Sequence, residues 1–175
     1  MRLRCSILLL WGLLCISFAA FSADDYILGA GDQIEIRVYG HPDLTTKSTL
    51  GSDGFITFQF VGELPAQGLT VNQLSNRIQS GLADGYIVNP LVSINIVKYR
   101  NFYIQGEVER PGGYAFEPGI NISKAIALAG GLTDRGSKNK IDLISQKAPD
   151  KKTESVALDT AVNAGDIIVV GQRFF

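Results

Sequence analysis

The chain has 175 residues, with 16 Lys and Arg against 17 Asp and Glu and a formal charge of −1 at pH 7. A balance this even carries no electrostatic footprint for nucleic acid. Both cysteines, Cys5 and Cys15, sit in the apolar N-terminal segment; once that segment is removed, no disulfide, thiolate metal site or cysteine nucleophile is available.

Arg2 and Arg4 precede an uncharged run over residues 7–18 that is rich in Leu, Ile, Trp and Phe. This is the positive start and apolar middle of a secretory signal peptide. The run falls short of the ~20 apolar residues that cross a bilayer. It gives way to Ala19-Ala20-Phe21-Ser22-Ala23, so cleavage is expected between Ser22 and Ala23, with Ala20 at the minus-three position. A lipoprotein signal that acylates Cys15 is the rival; Leu14 before it and the continuing apolar run count against that pattern. Removing residues 1–22 leaves 14 Lys and Arg against 17 Asp and Glu, a formal −3. The remaining length suffices for one or two small domains with a real core.

In residues 32–38, Ile34, Ile36 and Val38 alternate with Gln33, Glu35 and Arg37, the period of a half-buried strand. Gly29-Ala30-Gly31 supplies the turn before it, and Gly40-His41-Pro42-Asp43 reads as a turn after it. Ser52-Asp53-Gly54 is a further turn, and residues 55–61 are rich in aromatic and β-branched side chains, which predicts a strand. Thr70 and Gln73 form a T-x-x-Q capping box with Leu69 and Leu74 at the staple positions. Val71, Leu74, Ile78 and Leu82 then recur at helical spacing, and the helix is expected to stop within residues 81–85. Asn89-Pro90 opens a strand in which Val92, Ile94 and Ile96 alternate with Ser93 and Asn95.

A second unit begins at about Arg100. Residues 102–108 read as a strand, Arg110-Pro111-Gly112-Gly113 as a turn, residues 114–116 as a short strand and Glu117-Pro118-Gly119 as another turn. Asn121 caps a short helix over residues 122–129, which Gly130-Gly131 closes in the left-handed conformation. Strands are expected at residues 141–145 and 167–170, with a polar, exposed loop over residues 146–153.

Ala-Gly-Asp-x-Ile occurs twice, at residues 30–34 and 164–168. Reused turn chemistry explains this better than a duplicated domain: Asp32 and Asp166 each suit a turn in which the carboxylate accepts backbone N–H groups. Reactive constellations are scarce. The 1 histidine, His41, falls in a turn, and no motif sets two carboxylates as acid and base. Gly29-Ala30-Gly31 lacks the third glycine of a dinucleotide fingerprint. No catalytic, cofactor or metal site is therefore assigned.

Together these stretches resemble the outer-membrane polysaccharide export (Wza-like) family. The likeness runs through YILGAGDQIEIRV (residues 26–38), SDGFITFQFVGELPAQGLTVNQL (52–74), NPLVSINIV (89–97), and GEVERPGGYAF with ISKAIALAGGLT (106–133). Gly31, Asp32, Asp53, Gly54, Gly106, Pro111, Gly112, Gly130 and Gly131 carry its turns. The resemblance implies an α+β chain: a signal peptide over 1–22, a mostly β export domain over 23–99, and a β-grasp (SLBB) domain over 100–175, with one helix in each domain. It also implies a periplasmic homo-oligomeric ring that passes polysaccharide and works with an inner-membrane polysaccharide copolymerase.

Two departures from the pattern shape further expectations. No lipidated cysteine is evident, and only Gly171-Gln172-Arg173-Phe174-Phe175 follows the last strand where relatives carry a membrane-spanning helix. A separate outer-membrane β-barrel is therefore expected to supply the pore. Tyr99, Arg100, Tyr103, Arg110 and Tyr114 cluster in sequence around the second unit's turn and are candidate glycan contacts, by stacking and hydrogen bonding; the alternative is core or interface packing. Phe174 and Phe175 either dock on a partner or fold back on their own strand. The competing functional readings are a monomeric periplasmic glycan- or ligand-binding module and, last, a glycan-modifying enzyme.

Overall fold

The computed structural model describes residues 26–146, 150 and 152–173; the signal segment with Cys15, Ser22 and Ala23, and the Phe174-Phe175 pair, lie outside the described residues. The described residues are α+β, with two main sheets, a separate two-stranded sheet in the first unit, and two hydrophobic cores that change over between Lys98 and Phe102.

In the first unit β1 (Gln33–Val38) runs antiparallel to β2 (His41–Thr49). Ile34, Ile36 and Val38 are buried as the alternation predicts. The segment at His41 corrects the sequence reading. The turn is confined to Tyr39 and Gly40, Gly40 taking φ of 80°, and His41 already pairs with Val38 as the first residue of a strand. Pro42 is tolerated because β2 is an edge strand, where a missing N–H breaks no ladder. Leu44 alone of that strand is fully buried, so no alternation marked it. The strand expected over residues 55–61 is also shorter: β3 (Phe55–Phe58) turns at residues 59–61 and pairs back as β4 (Gly62–Pro65).

Helix α1 (Val71–Ala83) starts as predicted: Thr70 Oγ1 accepts the Gln73 N–H at 3.2 Å and Gln73 Oε1 accepts the Thr70 N–H at 2.9 Å. Leu74, Ile78 and Leu82 face the core. β5 (Val92–Lys98) completes the sheet on the other side of β1. Ser75 Oγ and Gln79 Nε2 pin the helix to it by donating to the carbonyls of Val92 and Pro90, at 2.8 and 2.6 Å.

The second unit comprises β6 (Phe102–Gly106), β7 (Gly112–Tyr114), α2 (Ile122–Leu128), β8 (Gly136–Ile144), β9 (Lys152–Thr153) and β10 (Ile167–Gln172). The sheet order is β7-β6-β10-β8-β9, and only the β6/β10 pair is parallel. First and last strands lie side by side with α2 contributing Ile122, Ala125 and Ile126 to the core, as a β-grasp requires.

Helix α2 ends in a complete Schellman motif: Gly130 N–H donates to Ala127 O and Gly131 N–H to Ile126 O, with φ of 88° and 100° at the two glycines. Its start is capped by Asn121 Oδ1, which accepts the Lys124 N–H at 2.9 Å.

Several boundaries differ from expectation: β6 stops at Gly106, two residues short, and β10 runs on to Gln172. β7 starts at the two glycines read as turn and ends at Tyr114, so of the strand expected over residues 114–116 only Tyr114 is paired, with Phe102. Gly112 and Gly113 pair with Ile104 and Tyr103, and a Cβ on Gly113 would sit 3.0 Å from the Tyr103 ring. β8 begins five positions before residue 141, in a polar stretch without alternation. Lys152 and Thr153, within the expected loop, pair with β8 as a short edge strand.

Candidate functional site: the joint between the two units

The Ala-Gly-Asp repeat builds the same turn twice. Asp32 Oδ2 accepts the Gly29 N–H at 2.8 Å, and Asp166 Oδ2 accepts the Asn163 N–H at 2.8 Å, each three residues upstream. Gly31 and Gly165 take φ of 92° and 86°, where a side chain is strained. Each second carboxylate oxygen reaches across to another segment: Asp32 Oδ1 accepts the Arg100 N–H at 2.7 Å and Asp166 Oδ1 the Gln146 N–H at 3.1 Å. Both carboxylates are fully buried, a cost met by charge-assisted hydrogen bonds.

Arg100 then joins the two turns. Its Nη1 donates to Asp32 Oδ2 at 2.7 Å, to the Tyr26 hydroxyl at 2.8 Å and to the Ile27 carbonyl at 3.3 Å, while its Nε donates to Gln146 Oε1 at 2.6 Å. The Tyr26 hydroxyl in turn lies 2.7 and 2.8 Å from the two Asp32 oxygens. Burial, then the Asp32 carboxylate, push the Tyr26 phenol far above its ordinary range, so it stays a neutral donor. The result is a continuous path from Asp32 through Arg100 and Gln146 to Asp166.

Aromatic packing reinforces the joint. The Tyr26 ring meets Tyr99 edge-on at 4.8 Å between centroids and Phe116 at 6.5 Å; Tyr99 and Phe116 are 5.4 Å apart. Such pairs contribute ~0.5–1.5 kcal/mol each beyond area burial. The three rings come from the segment before β1, the residue after β5 and the loop after β7, so the cluster spans both units.

Two open clefts flank the Arg100 side chain. One of about 280 Å³ is lined by Tyr26, Gly29, Gln67, Gln146 and Asn163, and the other of about 340 Å³ by Gly31, Lys98, Tyr99, Tyr103 and Gly165. Arg100 and Gln146 form part of the wall of both. Among the described residues no group of His, Cys, Asp and Glu is set to hold a metal ion.

The five candidate glycan contacts are not brought together. Tyr99 and Arg100 belong to the joint. Tyr114 is half-buried, its hydroxyl donating to the Arg110 carbonyl at 2.5 Å and its ring 6.0 Å from Phe102. Tyr103 and Arg110 are exposed; Arg110 Nη2 donates to the Leu128 carbonyl at 3.3 Å. The turn residues act locally: Asp53 Oδ1 accepts the Phe55 N–H at 3.1 Å, Gly54 takes φ of 81° behind it, and Pro111 leads into Gly112. Tyr26, Phe116 and Gln146 were not singled out from the sequence. The repeated Ala-Gly-Asp was the available signal for the two turns, and nothing marked Gln146 as the residue between them.

Fold and joint together define a two-module α+β protein whose modules are held as one piece by a buried ionic and aromatic junction. Residues 21–97 match the family model described as polysaccharide biosynthesis/export protein, and residues 101–157 match the SLBB domain model. The chain thus carries an export domain followed by one SLBB domain, the make-up of a polysaccharide export (Wza-like) protein. It is similar to the exopolysaccharide production protein ExoF of Rhizobium meliloti, 33% identical in an alignment 137 residues long that covers 70% of this chain and 32% of that protein. The EPS I polysaccharide export outer membrane protein EpsA of Ralstonia nicotianae is 28% identical over 69% of this chain and 39% of its own length. The polysialic acid transport protein KpsD of Escherichia coli is 26% identical over 85% of this chain and 28% of its own length. The chain thus spans about a third of the length of these relatives.

Proposed function

We propose that this chain acts in polysaccharide export as a periplasmic, secreted component that binds and guides glycan without catalysis. The observation that carries the reading is the pairing of an export domain and an SLBB domain in one chain, in that order, across a buried junction. The printed roles of the relatives, in exopolysaccharide production, polysaccharide export at the outer membrane and polysialic acid transport, support it. The units divide at Tyr99 and Arg100, with the export domain over 23–99 and the SLBB domain over 100–175.

In finer detail, copies of the chain form a ring that carries the glycan between an inner-membrane copolymerase and an outer-membrane β-barrel. A junction that fixes the angle between modules suits such an assembly, because a ring closes only if every subunit holds one shape. Tyr103 and Arg110, exposed on the second unit, are the two original candidates free to meet a glycan.

Deleting the gene and measuring polysaccharide at the cell surface tests the export role; unchanged surface polysaccharide would sink it. Native mass measurement with the copolymerase present tests the ring, and a strictly monomeric protein would favour the simpler ligand-binding module.

A further inference from the structure

A groove on the export unit lies at the opposite end of β1 and β5 from the joint, between α1 and the segment that leads into β5. Its volume is about 470 Å³, and Asn76, Gln79, Ser80, Asn89 and Leu91 line it. That size falls within the ~300–1,000 Å³ of small-ligand sites.

The lining has a particular chemistry. Its residues offer three amides and a hydroxyl beside apolar surface, and none of them is charged. Asn76 and Ser80 stand one turn apart on the exposed side of α1, and Ser80 Oγ donates to the Asn76 carbonyl at 3.0 Å, which leaves its oxygen free to accept. Gln79 fixes the opposite wall through its bond to the Pro90 carbonyl. Asn89 holds the wall's corner at φ of 51°, a conformation Asn adopts more readily than most residues. Leu91 is 61% exposed, and the adjoining Tyr39, whose N–H donates to the Leu91 carbonyl at 2.9 Å, is 82% exposed.

Leaving such apolar side chains in water side by side is unfavourable unless something covers them. A phosphate, carboxylate or uronate would ask for Arg or Lys, and a cation for a carboxylate. Amides that donate and accept, set beside aliphatic and aromatic surface, match a ring that carries hydroxyls at its edge and C–H groups on its face. We propose that this groove is a subsite for neutral saccharide units; its use in glycan transport rests on the export reading, whereas its chemistry does not. Being open and shallow, it binds weakly enough for a chain to move on.

Titrating the protein with cellohexaose, maltohexaose and an oligogalacturonate of equal length, while following backbone amide resonances, tests this. A neutral hexasaccharide is expected to shift the signals of Asn76, Ser80, Asn89 and Leu91 with a dissociation constant on the order of millimolar, and the oligogalacturonate to leave them in place. The double variant Asn76→Ala/Asn89→Gly keeps a residue that tolerates positive φ and removes two amides. It should weaken binding by at least about fivefold with the second unit's signals unmoved.

No response to either neutral oligosaccharide, an equal response to the acidic one, or unchanged affinity in the variant would overturn the proposal. Shifts at the same amides that depend on protein concentration alone would assign the groove to a second copy and overturn it too. In cells the two claims separate. Normal export by the double variant beside lost export on gene deletion sinks the groove's transport role alone. Normal export on deletion sinks the export reading and leaves the titration to decide saccharide binding.

Discussion

Asp32 and Arg100 are 68 positions apart in the chain, yet one carboxylate receives both the backbone N–H and the guanidinium Nη1 of that arginine, each at 2.7 Å. Side chain and main chain of a single residue thus close on one buried acid. Because Arg100 Nε also holds Gln146, this contact ties the export unit's first turn to the second unit.

Truncating Arg100 leaves the buried Asp32 carboxyl without its cation. Breaking such a pair costs about 3–5 kcal/mol, and the hydrogen bonds that Asp32 keeps from Gly29 and Tyr26 place Arg100→Ala near the lower end. Arg100→Lys retains the charge, but a single ammonium lacks the fork that reaches Asp32 and Gln146 together. We expect a smaller loss for Lys, together with weakened coupling between the units. Urea unfolding followed by separate probes in each unit checks both points: wild type should give one transition, and Arg100→Ala two.

The duplicated turn predicts a shared minimum cost, exceeded at Asp32, which also loses its ion pair with Arg100. Asp32→Ala and Asp166→Ala each remove the carboxylate that accepts from two backbone N–H groups. A hydrogen bond to a charged group contributes ~1.5–3 kcal/mol, so each variant should lose about 3 kcal/mol or more, and the Asn variants, which keep one oxygen, clearly less. A large drop at one site with none at the other would show that the turns are alike in outline only.

Gly106 and Gly131 separate two uses of glycine. Both take positive φ, 91° and 100°, but a Cβ on Gly106 would overlap the Val170 carbonyl oxygen, whereas one on Gly131 would meet nothing within 4 Å. Gly131→Ala should therefore cost only the backbone strain, about 1 kcal/mol. Gly106→Ala must also push β10 from β6 and should cost several times as much. Thermal melting of the two variants side by side decides this.

Acid should weaken the second unit through identifiable carboxylates. Lys152 Nζ, 2.7 Å from Asp142, holds that carboxyl below its usual range against partial burial, helped by the Ser155 N–H; Thr133 and Gln172 do the same for Glu107. A carboxyl whose pKa is lower folded than unfolded contributes stability above its unfolded value, roughly 4, and loses it as pH falls through the folded value. The raised Lys152 pKa works the other way, its contribution complete below the unfolded lysine value and lost only in strong alkali. The urea midpoint should thus fall below about pH 4, and Asp142→Asn should flatten that decline.

What the residues alone disclosed was local. The Thr70/Gln73 capping box, the Asn121 cap and the Gly130-Gly131 stop involve donors and acceptors within about five residues, so their chemistry is complete in a short window. The alternation of β1 and the stripe of α1 were equally plain, because one face of each is buried. The turn role of Asp32 and Asp166 could be read for the same reason. Each carboxylate's other oxygen points to a partner 68 or 20 residues away, and that half was invisible.

Only tertiary structure decided the rest. Gly112 and Gly113 have no strand propensity, and became β7 because Ile104 and Tyr103 offer an open edge, which the Tyr103 ring crowds at Gly113 and leaves open at Gly112. His41 and Pro42 entered β2 because the edge of a sheet needs hydrogen bonds on one side only. Arg100 reads in sequence as an exposed cation beside tyrosines. Whether a guanidinium faces solvent or an acid depends on which turns the two sheets bring beside it, and sheet pairing is set by contacts between distant segments, where no local pattern records the partner.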